Sequence, residues 1–326
     1  MRAAVVSAAG QPPVLADFAA PQPAAGEQLV RVRAAAVSHV VKARASGAHY
    51  SADRQFPFVA GIDGVGTLTD GRRVYFALPR LPHGSMADQT VVDAGLCVPV
   101  PEGLDDATAA AIANPGMSSW VALTERARLQ PGETVLINGA TGTSGRLAVR
   151  IARLLGAGRV VATGRDAGAL DQVRALGADA AVPLGADAKG LEGRFMREFA
   201  QGVDVVIDYL WGQSAESLLI AAAKAGRAEM PTRFVQVGSA SAQDITLPAA
   251  VLRASASVLM GSGLGSVPVP RLIEITGQVL HATASGDLKI AFTPVAFDDF
   301  DQGWAQDDST RRTVFIIKTA EAGNDR

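Results

Sequence analysis

The sequence predicts an α/β chain in which a doubly wound parallel sheet is inserted into a mainly β domain. Three observations predict it. Short apolar runs broken by Pro, Gly and Asp fill residues 1–115; strand-like and helix-like segments alternate through 116–265; strand-like runs return in 266–326. The last stretch is expected to rejoin the first domain. A chain of 326 residues accommodates two domains and a sizeable core without disulfides or metal.

In the first stretch, segments 29–33, 73–77 and 91–92 read as strands. The Ala-rich segment 105–113, opened by Asp105-Asp106, reads as a short helix. In the second, Thr134-Val135-Leu136-Ile137 is a buried strand, and after Ser144 apolar residues recur at Leu147, Ile151, Leu154 and Leu155, a helical spacing ended by Gly156 and Gly158. Strands over 159–162, 181–182, 203–207 and 234–237 then alternate with helices over 170–176, 191–199 and 214–225. Such alternation requires right-handed crossovers, hence a parallel sheet covered on both faces. In the third stretch a helix over 271–281 precedes strands at 292–295 and 314–317. Val258-Leu259-Met260 falls at the sheet edge, where bare apolar backbone invites pairing, so a homodimer joined along these edges is expected.

Composition narrows the function. With 30 basic and 32 acidic residues there is no polybasic field, which argues against nucleic acid as a partner. One cysteine, Cys97, excludes an intrachain disulfide and any multi-cysteine metal site, and between Leu96 and Val98 it reads as a small buried hydrophobe. The apolar start, Met1 to Val6, is interrupted by Gln11-Pro12-Pro13, unlike a signal peptide, and no run approaches the ~18 apolar residues of a membrane span. A soluble cytoplasmic protein is expected.

The sharpest motif is Asn138-Gly139-Ala140-Thr141-Gly142-Thr143-Ser144-Gly145, between the 134–137 strand and the helix that follows. From Ala140 it reads A-x-G-x-x-G, a dinucleotide-binding turn of the Rossmann type. Gly142 lets backbone approach a pyrophosphate, Gly145 lets helix and strand pack closely, and the helix start offers N–H groups to the phosphates. Asn138, Ala140, Gly142, Thr143, Ser144 and Gly145 are therefore expected cofactor residues. The next strand ends Thr163-Gly164-Arg165, where NAD-binding chains tend to carry an acid for the ribose hydroxyl. Gly164 and Arg165 suit a 2′-phosphate instead. A charge-assisted contact of ~1.5–3 kcal/mol favours NADPH about ten- to a hundredfold. Asp166 keeps NAD open if it turns inward. Gly238-Ser239, closing a later strand, is placed at the nicotinamide side.

Two other chemistries are unsupported. Gly142-Thr143-Ser144-Gly145-Arg146 breaks the G-x-S-x-G of serine hydrolases, and no tyrosine has lysine four residues on, as short-chain dehydrogenases require.

Taken together with Phe56-Pro57-Phe58-Val59-Ala60-Gly61-Ile62-Asp63-Gly64-Val65-Gly66 and Pro99-Val100-Pro101-Glu102-Gly103-Leu104, the chain resembles the zinc-free quinone oxidoreductase branch of the medium-chain dehydrogenase/reductase superfamily. The resemblance implies a GroES-like catalytic domain around the Rossmann-type domain. Zinc-dependent relatives carry Gly-His-Glu where this chain has Gly61-Ile62-Asp63, so no metal site is expected. It also implies that Ser118, after Gly116-Met117, reaches the nicotinamide end. Ser38 stands where the family has Asn, Val41 where it has Asp, and His49 or Tyr50 inherits the position of a tyrosine in the substrate cleft. The implied activity is NADPH-dependent hydride transfer to a small electrophile, a quinone, enone or other conjugated carbonyl, with Tyr50, His49 and Ser38 as proton-donor candidates. A quinone needs little help from an acid. The altered Ser38 and Val41 positions motivate one alternative, an NADPH-binding sensor or structural protein with little turnover, and a zinc-independent alcohol dehydrogenase is a third reading.

Overall fold

The computed structural model describes residues 1–47, 55–185, 187–227, 230–306 and 308–318. The chain divides into two compact units, Met1–Asn114 with Thr276–Arg326, and Pro115–Ile275. In chain order the elements are β1 (Arg2–Val6), β2 (Val14–Asp17), β3 (Glu27–Ala36), α1 (His39–Ala45), β4 (Phe58–Val59), β5 (Asp63–Leu68), β6 (Arg73–Ala77), β7 (Gln89–Asp93), β8 (Cys97–Pro99) and α2 (Asp106–Val121). There follow β9 (Thr134–Asn138), α3 (Thr143–Leu154), β10 (Arg159–Gly164), α4 (Ala167–Ala175), β11 (Ala180–Pro183), α5 (Ala188–Gln201), β12 (Val205–Asp208), α6 (Gly212–Ala225), β13 (Arg233–Gln236), α7 (Ala249–Arg253) and β14 (Val258–Gly261). The chain closes with α8 (Val269–Ala284), β15 (Phe292–Ala296), α9 (Phe300–Ala305) and β16 (Arg312–Ile316).

The second unit carries a six-stranded sheet in the order β11-β10-β9-β12-β13-β14, with every pairing parallel. Strand order reverses between β9 and β12, so the crevice that such sheets use for ligands opens at the carboxyl ends of those two strands. Leu136, Val161, Val206 and Phe234 of the sheet pack with Phe195 and Phe199 of α5 and Leu218 of α6. Central strands buried on both faces account for the uninterrupted apolar runs from which they are legible.

The first unit is mainly β. Its larger sheet runs β15-β16-β3-β5-β6-β8, with β7 also on β3, and a smaller one runs β2-β1-β4. The C-terminal strand β16 pairs antiparallel with β3, Phe315 opposite Ala35, so the tail completes the first unit's sheet. Phe297, Phe300 and Phe315 anchor its core, the last two stacked with centroids 4.7 Å apart.

Three details depart from the sequence reading. The helix expected over 105–113 continues to Val121 through Pro115, then passes into a wider π-type turn at Ala122–Arg126. The second limit between units falls within α8 rather than at 265/266. Cys97 is half-buried rather than enclosed, and burial pushes its thiol up to about 11, so it is a neutral thiol at physiological pH. Among the described residues no helix is long and apolar enough to cross a membrane.

Candidate active site

The turn after β9 is built for close approach. Gly139 has φ +87°, and a Cβ on Gly145 would lie 2.2 Å from Gly139 O, so only glycine lets α3 sit this near the strand. Serine and aspartate side chains cap other helices: Ser38 on α1, Asp166 on α4, Asp187 on α5. At α3 the N-cap is Gly142, no side chain caps the helix, and no acid stands in its first turn. The N–H groups there are placed to receive an anion, with the helix dipole in support. Thr143 and Ser144 occupy that first turn.

Beneath the turn lies a buried polar network. Asn138, Thr163 and Asp208 are each 0% exposed. The Thr163 hydroxyl accepts from Gly139 N (3.0 Å) and donates to Asn138 Oδ1 (2.8 Å). Asn138 Nδ2 donates to Asp208 Oδ1 (2.8 Å) and to Ser214 Oγ (2.9 Å). The Asn138 amide thus engages protein groups under the turn, with Asp208 directly across from it in the β9–β12 register. Asp208 also accepts from Leu210 N (2.9 Å) and Trp211 N (3.2 Å). Burial raises its carboxyl above the usual range, and these hydrogen bonds oppose the rise without cancelling it. Trp211 has φ +62°, a conformation costing about 1–3 kcal/mol in a non-glycine residue, and Asp208 helps to hold it.

Two neighbouring segments meet the end of β12. Tyr209 Oη donates to Ser119 Oγ (2.7 Å), which donates to Pro115 O (2.8 Å), tying α2 to the strand end. Ser118, half-buried, is the adjacent residue on α2. A Cβ on Gly238 would lie 2.8 Å from Tyr209 O, so Gly238 and Ser239 run beside the same strand end. At β10, a Cβ on Gly164 would lie 2.4 Å from Thr141 Cγ2, leaving no room for a larger residue. Arg165 is exposed just beyond. Asp166 does not turn inward: its Oδ1 accepts from Ala169 N at 2.7 Å as the cap of α4.

In the first unit, Ser38 caps α1, its Oγ accepting from Val41 N at 3.1 Å. That bond uses a lone pair and leaves the O–H available to donate. Val41 is buried. His49 and Tyr50 lie outside the described residues. A cavity of about 220 Å³ is lined by Val41, Arg44, Phe58, Ile62, Leu78 and His83 among others. Nearby in sequence to Ile62, Asp63 is buried and accepts from the Tyr75 hydroxyl at 2.9 Å. Burial raises the Asp63 carboxyl, and the positive charge of Arg312 and the bond from Tyr75 pull it back. Arg312 in turn donates to Val37 O through Nη2 (3.0 Å) and Nε (3.2 Å), fixing the backbone that leads into Ser38.

Thr163, Asp208, Ser119 and Arg312 are absent from the sequence-derived set. The one signal for Asp208 is a carboxylate ending the apolar run Val205-Val206-Ile207, where burial demands partners.

Residues 145–277 match a family described as "Zinc-binding dehydrogenase". Among the described residues no group of three or more His, Cys, Asp or Glu is assembled to hold a metal. The chain is 30% identical to "Probable NADPH-dependent quinone reductase tdiC" of Emericella nidulans over 97% of this chain and 100% of that one. It is 31% identical to prostaglandin reductase-3 of Bos taurus over 74% of this chain and 66% of that protein. The quinone oxidoreductase of Thermus thermophilus, solved alone and with NADPH, superimposes with a TM-score of 0.80 at 27% identity, covering 97% of this chain and 100% of that one. A glycine-rich turn between β9 and α3, a parallel sheet reversing at β9 and β12, a quinone reductase relative 30% identical over nearly the whole chain, and a solved quinone oxidoreductase matched over its full length converge: the chain is an oxidoreductase of the quinone oxidoreductase branch of the medium-chain dehydrogenase/reductase superfamily.

Proposed function

We propose that the protein is a zinc-free, NADPH-dependent reductase acting on a quinone, enone or similarly conjugated carbonyl. The observation that carries the nucleotide reading is the uncapped start of α3 above a turn that excludes a Cβ at Gly145. The preference for NADPH is supported by Arg165 standing exposed after Gly164 while Asp166 is engaged as a helix cap. Relatives named as a quinone reductase and a prostaglandin reductase support the substrate class. Ile62, apolar where zinc-dependent relatives carry histidine, supports chemistry without the metal.

When bound, the reduced nicotinamide supplies the hydride. Gly142, Thr143 and Ser144 receive the pyrophosphate, Gly164 and Arg165 the adenosine end, and Ser118, Gly238 and Ser239 the nicotinamide side. Asn138 acts from below, fixing the turn through Thr163 and Asp208. Negative charge developing on the substrate oxygen is met by hydrogen-bond donors. Ser38, whose O–H is left free by its capping bond, is one candidate for such a donor, and His49 and Tyr50 are the others. In a quinone the charge is delocalised, so these donors matter more for an enone.

Oxidation of NADPH and of NADH, followed at 340 nm with a simple quinone and with an unsaturated ketone, tests the reading. Consumption that favours NADPH is the expected result. Equal use of NADH removes the role given to Arg165, and turnover confined to secondary alcohols with NADP replaces the reductase by an alcohol dehydrogenase.

A further inference from the structure

Arg146 follows the last glycine of the turn, and its side chain is held in place by two bonds. Nε donates to Thr141 O at 2.8 Å, and Nη2 donates to Gln172 Oε1 at 2.8 Å. The guanidinium therefore spans from the β9–α3 turn to α4. Thr141 is also the residue on which Gly164 closes, so the same guanidinium lies by the end of β10, the strand whose last residues choose between nucleotides. Both partners are neutral oxygens, so neither bond offsets its charge. The acids of α4 are occupied otherwise: Asp166 caps the helix, and Asp171 pairs with Arg174 at 2.8 Å. Two cations thus belong to this end of the sheet: Arg146, tied to Thr141 on which Gly164 closes, and Arg165, which follows Gly164 in the chain.

We propose that Arg146 is a second specificity-determining residue, holding the 2′-phosphate of NADPH together with Arg165. The proposal rests on the reading of the turn as a nicotinamide dinucleotide site. Arg165 is an exposed side chain, and its rotamer freedom is lost when it meets a phosphate. Arg146 is already fixed by Thr141 and Gln172, so less freedom is lost when it meets a phosphate. Its fork geometry suits phosphate oxygens in a way that a lysine does not.

The test is calorimetric titration of the full chain with 2′,5′-ADP and with 5′-AMP, which differ only in the 2′-phosphate. Wild type is compared with R146Q, R146K and R165Q. R146Q is expected to weaken 2′,5′-ADP about tenfold or more, as loss of a charge-assisted contact requires, and to leave 5′-AMP within about twofold. R146K, which keeps charge but not the fork, is expected to fall between. A merely structural tie between α3 and α4 would move both ligands together. The proposal is overturned if R146Q and R146K bind 2′,5′-ADP as wild type does, if they weaken both ligands equally, or if wild type does not prefer 2′,5′-ADP. Failure of wild type to bind either compound is a different result, which removes the dinucleotide reading itself.

Discussion

Arg312 Nη1 donates to Ala111 O at 3.1 Å, and Ala111 is the residue whose carbonyl Pro115, lacking an N–H, leaves without its helical partner. A proline inside a helix removes one backbone bond and ordinarily kinks or ends it, at a cost of about 3 kcal/mol. Here a buried guanidinium takes the place of the missing donor, and α2 runs on to Val121. The same side chain reaches Val37 O with its other nitrogens and balances the buried charge of Asp63.

Replacing this cation should be costly. R312M removes three hydrogen bonds to buried carbonyls and leaves Asp63 without its opposing charge. A loss of about 3–5 kcal/mol is expected, as for a broken buried charge pair, read as a marked drop in Tm. The double variant D63N/R312M should recover part of that loss, because the uncompensated carboxylate is then gone. A double variant no more stable than R312M would separate the two residues.

Asp208 gives a pH dependence of defined sign. Its folded-state pKa is raised by burial above the ordinary 3.8. Ionising it therefore disfavours the folded state. That penalty is absent below about 3.8, develops as pH rises toward the folded-state value and is complete above it. D208N lacks a titrating group, so its stability relative to wild type should rise across that window and then level off. Thermal melts from acid to neutral pH measure the difference, and a difference that stays flat would show that Asp208 keeps an ordinary pKa.

Ser38 is asked to do two things that can be separated. S38A removes the cap of α1 and should lower stability by about 0.5–2 kcal/mol. S38D keeps an acceptor for Val41 N but has no O–H to donate at neutral pH. If the hydroxyl serves the substrate oxygen, S38D should hold Tm near wild type while kcat with an unsaturated ketone falls and kcat with a quinone changes less. Equal loss with both substrates would assign the serine to the cap alone.

The parallel sheet was legible because its strands are buried on both faces and its helices on one, which imposes two different periods on the sequence. The turn from Gly139 to Gly145 was legible because close backbone approach admits only glycine at fixed positions. What escaped the sequence depends on distance along the chain. Arg312 bonds Val37 and Ala111, and acts through its charge on Asp63, from the far end of the chain, and no local spacing announces it. Helix α1 is too short for a periodic signal, and α2 hides behind a proline whose remedy lies at Arg312. Asp166 shows the reverse limit: sequence places it beside the residues expected to select the nucleotide, and only the bond to Ala169 N reveals that it serves its own helix.

Strand β14 is at the end of the parallel sheet, paired on one side with β13, and it exposes Val258 at 46% and Leu259 at 38%. An edge strand of this kind presents unpaired N–H and C=O groups along an apolar ribbon, which soluble proteins usually blunt with charge, proline or a covering element. No Lys, Arg, Asp, Glu or Pro occurs from Val258 to Gly261. A second copy of the same strand would satisfy the backbone groups and cover both side chains in a self-complementary interface. Sedimentation should therefore give a homodimer for wild type. L259K, which places a cation in the centre of that contact, should shift the population toward monomer and do so more at low concentration. A wild-type chain that sediments as a monomer throughout would mean the edge is tolerated bare.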